Sequence, residues 1–444
     1  MLSKEELQQR ACAVIEQRAT ALIEIGETIR HRPELGFKEF KTAATVAKTL
    51  TDLKVPHRTE LAITGVKGEL NGTEPGPTLA LIGELDALVV SGHPLADPET
   101  GAAHACGHNA QVTAVLGATM ALVETGAMQH LAGRIVPFAV PAEEYGDIGW
   151  RLEQARAGHL EFLGGKPELI RRGHFDDVDM ALLIHTSSRK DDKIAGVSAS
   201  NNGCVVKTVR YIGRAAHAGS APHLGINALY AANIALTAIN ALRETFQDSD
   251  TIRVHPVITQ GGNQVNVIPG EVRLETYVRG KTVPAIMDAN AKVDRALRAG
   301  ALAMGAQVEI TTLPGYMPLE NNRALANVFR HNAESLFGAE QYGTQGHRTG
   351  STDMGDLSQI MPAVQGYVGG ASGTGHGADF MITNPQMAYV GQAKLLAMTA
   401  IDLMWDDAGS AQNILRDYKA PMTRAQYLAF QRGINKTETY DGAA

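Results

Sequence analysis

The feature that most constrains the fold is a recurring apolar run with polar chemistry at its end. Thr78-Leu79-Ala80-Leu81-Ile82-Gly83, Arg134-Ile135-Val136-Pro137-Phe138-Ala139-Val140 and Met180-Ala181-Leu182-Leu183-Ile184-His185 share this design. A strand with one wet face alternates apolar and polar residues. Runs without alternation suit strands covered on both faces, as in a largely parallel sheet between layers of helices. The expected fold class is therefore α/β, with a mostly parallel sheet flanked by helices. In such sheets the chemistry gathers just beyond the carboxyl ends of the strands. Those ends carry Glu84 and Asp86, Glu143 and Glu144, and His185.

Around these runs the spacing predicts one long helix over residues 5–30, stopped by Arg32-Pro33-Glu34-Leu35-Gly36. The texture changes near residue 196. From there to about 312 the pattern reads strand, strand, helix, strand, strand, helix, strand, with helices at 225–245 and 283–304 and strands near 204–213, 252–259, 271–279 and 307–311. The chain has 444 residues, roughly twice what a single core usually serves. The expected organisation is one α/β domain built from residues 1–195 and 313–444, with a smaller α+β insert at 196–312. No internal repeat is visible, and the tail after Gly433 reads as frayed.

Composition excludes several classes. Hydrophobic residues are 44% and charged residues 20% of the chain, an ordinary globular mixture rather than a disordered one. The formal net charge is −7 and the Lys and Arg residues are scattered, whereas a nucleic-acid binder shows a basic face. No apolar run reaches the about 20 residues that span a bilayer. The start, MLSKEELQQRACAVIEQ, is a charge-rich amphipathic helix rather than a signal peptide. Three cysteines, Cys12, Cys106 and Cys204, make no disulfide framework. A reducing, cytoplasmic setting is expected.

The chemistry concentrates in four places. In Ala103-His104-Ala105-Cys106-Gly107-His108-Asn109 a thiolate and an imidazole flank one glycine, and both can face a metal if the backbone turns there. A Cys–His pair in a loop also occurs with no function. Pro141-Ala142-Glu143-Glu144 ends a buried run. Of two neighbouring carboxylates one can bind metal while the other reaches a water, but a solvated loop pair looks the same. His185 closes the third run, where a structural histidine is the commoner finding. His376 lies in Gly373-Thr374-Gly375-His376-Gly377, where the glycines alone would serve a turn. Taken together, Cys, His, Glu, His and His form a donor set for one or two borderline divalent ions. Thiolate and imidazole favour zinc, and carboxylate with imidazole also admits manganese. The extra Glu is what metal-assisted hydrolysis needs and what a structural zinc site does not.

His31-Arg32-Pro33-Glu34-Leu35-Gly36-Phe37, Gly83-Glu84-Leu85-Asp86-Ala87-Leu88, the Cys106–His108 cluster and Pro141-Ala142-Glu143-Glu144 follow one another in that order. This resembles the aminoacylase and carboxypeptidase group of metallopeptidases, in the branch of auxin-conjugate and aminobenzoyl-glutamate amidohydrolases. Gly350-Ser351-Thr352-Asp353-Met354-Gly355-Asp356 pulls the likeness toward the aminobenzoyl-glutamate side. The resemblance implies a zinc-exopeptidase-like catalytic domain and makes the insert a lid and dimerisation domain. It implies that Cys106, His108, Glu144, His185 and His376 bind metal and that Glu143 is the general base. Asp86 is expected to orient a ligand imidazole. His217, in Gly213-Arg214-Ala215-Ala216-His217-Ala218-Gly219, is expected to stabilise the oxyanion, often in the partner subunit's site. Asn266 and Arg279 match positions that hold the substrate carboxylate.

Departures from the family pattern cluster around the presumed substrate pocket. They are Val89-Val90-Ser91-Gly92-His93-Pro94 after the Asp-Ala-Leu motif, the stretch from Leu160 to Lys166, and the glycine-rich residues 369–377. The expected activity is hydrolysis of the amide of an N-acyl or N-aroyl amino acid by a small-molecule hydrolase that forms a homodimer or larger homo-oligomer. Two readings stand beside it: hydrolytic deamination of an aromatic amine at the same centre, and a noncatalytic metal-binding partner subunit. Neither a nucleic acid nor a membrane is expected as a partner.

Overall fold

The computed structural model describes residues 2–189 and 191–444. Helix Lys4–Gln17 starts at a reciprocal capping box, in which Ser3 accepts from the Glu6 amide and Glu6 accepts from the Ser3 amide. It ends at Arg18, and a second helix, Ala19–Arg30, begins immediately. The single helix expected over 5–30 is thus two. Arg18 leaves helical geometry at φ −91°, ψ 2°, and its amide closes the first helix on Val14 and Glu16 carbonyls. Neither proline nor glycine marks the break.

The three apolar runs lie in strands Glu74–Glu84, Ala132–Val140 and Met180–Thr186, and a fourth parallel strand, Ala363–Val368, extends them. Register places Leu79 opposite Ile135, Leu81 opposite Leu182, and Val364 opposite Leu182. Antiparallel strands flank this parallel centre. His57–Leu61 pairs with Gly65–Gly68, which pairs with Ala132–Val140, and Ala195–Asn201 runs against Ala363–Val368. The sheet is therefore mixed, with its parallel part in the middle. Helices His108–Glu124 and Gln392–Met404 are buried almost all round, and their Ala, Val and Leu side chains join the strand residues in one continuous core. Apolar burial of this extent is the main term holding the layers together.

The chain divides into two units. One comprises Met1–Ala199, Glu320–Gly346 and Asp356–Thr423, and the other Ser200–Leu319, His347–Gly355 and Arg424–Ala444. The second unit is an antiparallel sheet in the order Arg253–Val254, Glu271–Gly280, Gly203–Ile212, Gln307–Pro314, Lys436–Asp441. Helices Ala228–Ala241 and Val283–Met304 pack into its core. The longer helix has all its expected punctuation. Thr282 caps it, a proline stands in the first turn, and Gly305 ends it in the left-handed region at φ 61°.

These bounds differ from the expected 1–195 plus 313–444 and 196–312. The largest difference is the tail. Residues after Gly433 were expected to fray, but Lys436–Asp441 pairs with Gln307–Pro314, from Lys436 opposite Thr312 to Asp441 opposite Gln307. The six residues Lys-Thr-Glu-Thr-Tyr-Asp gain a full ladder there. Among the described residues no helix is long and apolar enough to cross a membrane.

Candidate metal centre

The site forms where the parallel strands end. The Glu74–Glu84 strand leads to Asp86, Ala132–Val140 leads to Glu143 and Glu144, and His185 is the penultimate residue of Met180–Thr186. Cys106 and His108 flank Gly107, the left-handed N-cap of helix His108–Glu124 at φ 89°. A Cβ at Gly107 would stand 3.1 Å from Thr186 Cβ, so both conformation and space call for glycine. His376 sits in the glycine-rich loop at φ 63°, its amide bonded to the Ala105 carbonyl at 2.9 Å.

The expected ligands converge. Cys106 Sγ is 3.2 Å from His185 Nε2, and His376 Nε2 is 3.1 Å from Glu144 Oε1. Cys106 with His108 and His185, Cys106 with Glu144 and His376, and Glu84 with His108 and Glu143 form three groups whose donor atoms lie within 4.8 Å of one another. Tautomers follow from the second nitrogens. His108 Nδ1 is 2.9 Å from the Asp86 carbonyl and 3.2 Å from its carboxylate, and His185 Nδ1 is 2.9 Å from the Thr186 carbonyl. Both rings therefore carry their proton on Nδ1 and turn Nε2 toward the cluster.

Charge favours a cation there. Burial alone would push the Cys106 thiol up, but His185 and His108 outweigh burial and Glu144 and bring it down to about 5. Burial disfavours the His108 imidazolium, yet Cys106 and Glu84 raise it well above its ordinary value. Glu144 is drawn down to about 2, where His376 outweighs burial, and Glu144 in turn raises His376 to about 11. His108 Nε2 and Glu144 Oε1 are buried, and each faces another member of the donor groups at 3.1 Å, Glu84 and His376 respectively. Buried thiolate, imidazole and carboxylate groups converging in this way fit a divalent ion. The residues present thus suit the group: Cys106, His108, Glu144, His185 and His376 would hold it.

Several residues that shape this site have no individual role assigned from the sequence, Glu84 among them despite its place at a strand end. Glu84 reaches within 3.1 Å of His108 Nε2, and its other oxygen meets Lys166 Nζ at 2.6 Å. Lys166 is 0% exposed, so a lysine noted only for departing from the family pattern is a buried counter-ion beneath the site. Gln111 completes the group, donating to Glu84 Oε2 at 2.8 Å. Arg151 is also fully buried, its guanidinium bonded to the Leu163 and Glu144 carbonyls. The available signal was weak: only Glu84 stands directly at the end of an apolar run.

In the second unit, His217 is exposed, on a loop bridged to Val267. The Ala218 amide donates to the Asn266 carbonyl at 2.9 Å, so His217 and Asn266 come together. Arg279 does not join them. It sits next to the end of strand Glu271–Gly280, beside Cys204, while the Asn266 loop feeds the opposite end. Eight residues of strand separate Arg279 from Glu271, about 26 Å. Within one chain a single small carboxylate does not reach both. Arg279 instead stacks over the Tyr277 ring at 5.1 Å.

A donor set of thiolate, imidazole and carboxylate, with a further Glu beside it at the ends of a parallel sheet, defines a metal-dependent hydrolase. The chain belongs to peptidase family M20/M25/M40, whose profile matches residues 80–398. It is 28% identical to the Xaa-Arg dipeptidase of Mus musculus over 96% of this chain and 95% of that protein. The Homo sapiens Xaa-Arg dipeptidase is 30% identical over 75% of this chain and 73% of its own. Among solved structures, the Bacillus subtilis YXEP protein, described as a dinuclear metal-binding peptidase, superposes with a TM-score of 0.65 at 21% identity. That match covers 88% of this chain and 99% of YXEP.

Proposed function

We propose that this enzyme hydrolyses the amide bond of a small N-acyl or N-aroyl amino acid, a class in which the acyl group can itself be an aminoacyl unit. The observation that carries the reading is the division of the Glu143–Glu144 pair. Glu144 faces Cys106 and His376 in one donor group, while Glu143 Oε2 lies 3.8 Å from His108 Nε2 in another. The two carboxylates thus join different donor groups, which gives one to the cation and leaves the other for proton transfer.

A divalent ion held by Cys106, His108, Glu144, His185 and His376 would supply Lewis acidity and lower the pKa of a coordinated water. Glu143, 7% exposed, takes the proton from the attacking water and returns it to the leaving nitrogen. Asp86 keeps His108 in the tautomer that presents Nε2. The thiolate supports zinc, and the carboxylate and imidazoles also suit manganese, as one ion or two.

His217 is the proposed oxyanion donor. Its Nδ1 accepts the Gly219 and Ser220 amides at 3.1 Å each, which places the proton on Nε2 and makes that nitrogen a donor. We place it in the neighbouring subunit's site of a homodimer, with Asn266 at the substrate. All three cysteines are free thiols, which supports a reducing, cytoplasmic setting.

The test is turnover by the zinc- and manganese-loaded protein on a panel of N-acetyl amino acids, aminobenzoyl-glutamate and dipeptides ending in arginine. Release of a free amino acid from at least one of these is expected. No amide cleavage with metal bound would refute the reading, and ammonia release from an aromatic amine would replace it with deamination.

A further inference from the structure

The motif at residues 31–37 lies outside the proposed chemistry, and its surroundings suggest what it does. The strap at residues 141–145 carries both Glu143 and Glu144, and it is held on every side by groups that bind no metal. Ala142 adopts φ 51°, a left-handed conformation that a non-glycine residue keeps only when its neighbours impose it. Its amide donates to Glu39 Oε1 at 2.8 Å, and its carbonyl accepts from the Gly165 amide at 3.0 Å. On the far side of Glu143, the Glu144 amide donates to Asp86 Oδ2 at 2.8 Å, and the Glu144 carbonyl accepts from Arg151 Nη2 at 2.6 Å. Glu143 therefore stands between two pinned peptide units.

The 31–37 motif supplies or supports much of this brace. Glu34 caps the next helix through the Lys41 and Thr42 amides, and its carbonyl accepts from Ala87, one residue past Asp86. Phe37 lies 5.2 Å from the Arg151 guanidinium. A Cβ at Gly36 would meet Arg151 Nη2 at 2.3 Å and Ala142 Cα at 3.0 Å, so the motif approaches the strap as closely as a backbone can. Glu39, two residues beyond, is 0% exposed, and Thr64 steadies its second oxygen at 2.5 Å.

We propose that Glu39 is a positioning residue for Glu143: it fixes the left-handed Ala142 peptide and so aims the general base, with residues 31–37 as the scaffold that places it. The proposal rests on the reading of Glu143 as the base. Glu39 accepts the Ala142 amide through one oxygen, which a glutamine at that position also offers. Aspartate keeps the charge but is one methylene too short to hold Ala142 and Thr64 together.

The experiment compares Glu39→Asp and Glu39→Gln, metal-loaded, by local amide hydrogen exchange and by steady-state kinetics. In Glu39→Asp, exchange at Ala142 is expected to rise at least about tenfold while strand Met180–Thr186 keeps its protection. The same variant should lose kcat by on the order of 10–100-fold, with KM and bound metal within about twofold of wild type. Glu39→Gln should match wild type in both exchange and kcat. Wild-type exchange at Ala142 in Glu39→Asp overturns the proposal, and so does a Glu39→Gln variant as impaired as Glu39→Asp. Loosening spread evenly through the unit would show a general packing role and also overturns it. If Glu39→Asp does not fold, Thr64→Val removes only the hydroxyl that steadies Glu39, and unchanged exchange at Ala142 there is equally fatal. The exchange readout needs no substrate. Failure of the base reading shows instead as full activity in Glu143→Gln.

Discussion

Lys166→Met isolates the buried ion pair beneath the metal centre. Lys166 and Glu84 are 0% and 1% exposed and 2.6 Å apart. At an effective dielectric near 20 their attraction is about 6 kcal/mol, most of it offset by the cost of taking both charges out of water. Removing the lysine alone loses the attraction and leaves Glu84 charged in the interior, which costs about 3–5 kcal/mol. For a unit of this size that corresponds to a fall in Tm of about 6–10 °C. The double variant Lys166→Met with Glu84→Gln removes both charges and keeps the amide partner Gln111. It should return to within about 1–2 kcal/mol of wild type. Thermal unfolding followed by circular dichroism in excess chelator is the assay, because a bound cation would partly compensate Glu84 and mask the effect. A single variant that melts within 2 °C of wild type, or a double variant as unstable as the single, would refute the reasoning.

Four further outcomes are expected. Glu143→Gln should keep its metal by elemental analysis and lose about 10²–10⁴-fold in turnover, while Glu144→Gln should lose metal; the reverse pattern exchanges their roles. Cys106→Ser should bind zinc more weakly, and unchanged metal content and activity would remove Cys106 from the ligand set. Burial and the nearby Asp86 carboxylate raise Glu39 from 4.5 to about 7. The folded state then holds that proton more tightly than the unfolded chain, so this contribution to stability is complete below about pH 4.5 and is lost as pH rises to about 7. The loss is roughly 3 kcal/mol, and Glu39→Gln abolishes it; parallel urea-stability profiles for the two proteins would contradict the shift. Finally, inactive Glu143→Ala and His217→Ala variants should restore partial activity in verified mixed dimers if the sites are shared, and no recovery would confine His217 to its own subunit.

Much of the centre was legible because its residues follow apolar runs that can only be buried strands. Glu144 and His185 sit at such ends, and Gly107 between Cys106 and His108 marks the turn that presents both. What was not legible depends on partners distant in sequence. Lys166 looks like any surface lysine until Glu84, at the end of strand Glu74–Glu84, meets it. Arg18 breaks a helix with no residue that favours a break. Asn266 and Arg279 look close in the sequence, but the intervening strand carries them to opposite ends of a sheet. Glu39 becomes informative only once the left-handed Ala142 is seen.

The strand Lys436–Asp441 also bears on how this polypeptide matures. Its partner, Gln307–Pro314, is complete more than a hundred residues earlier in the chain. At roughly 5–20 residues per second of translation, that partner waits on the order of 6–25 s for its neighbour. Throughout that interval Gln307–Pro314 is a bare sheet edge, the kind of surface on which nascent chains associate. A ribosome-stalled or C-terminally clipped product ending before Lys436 would keep that edge open permanently and is expected to be a better substrate for chaperones and proteases than for catalysis.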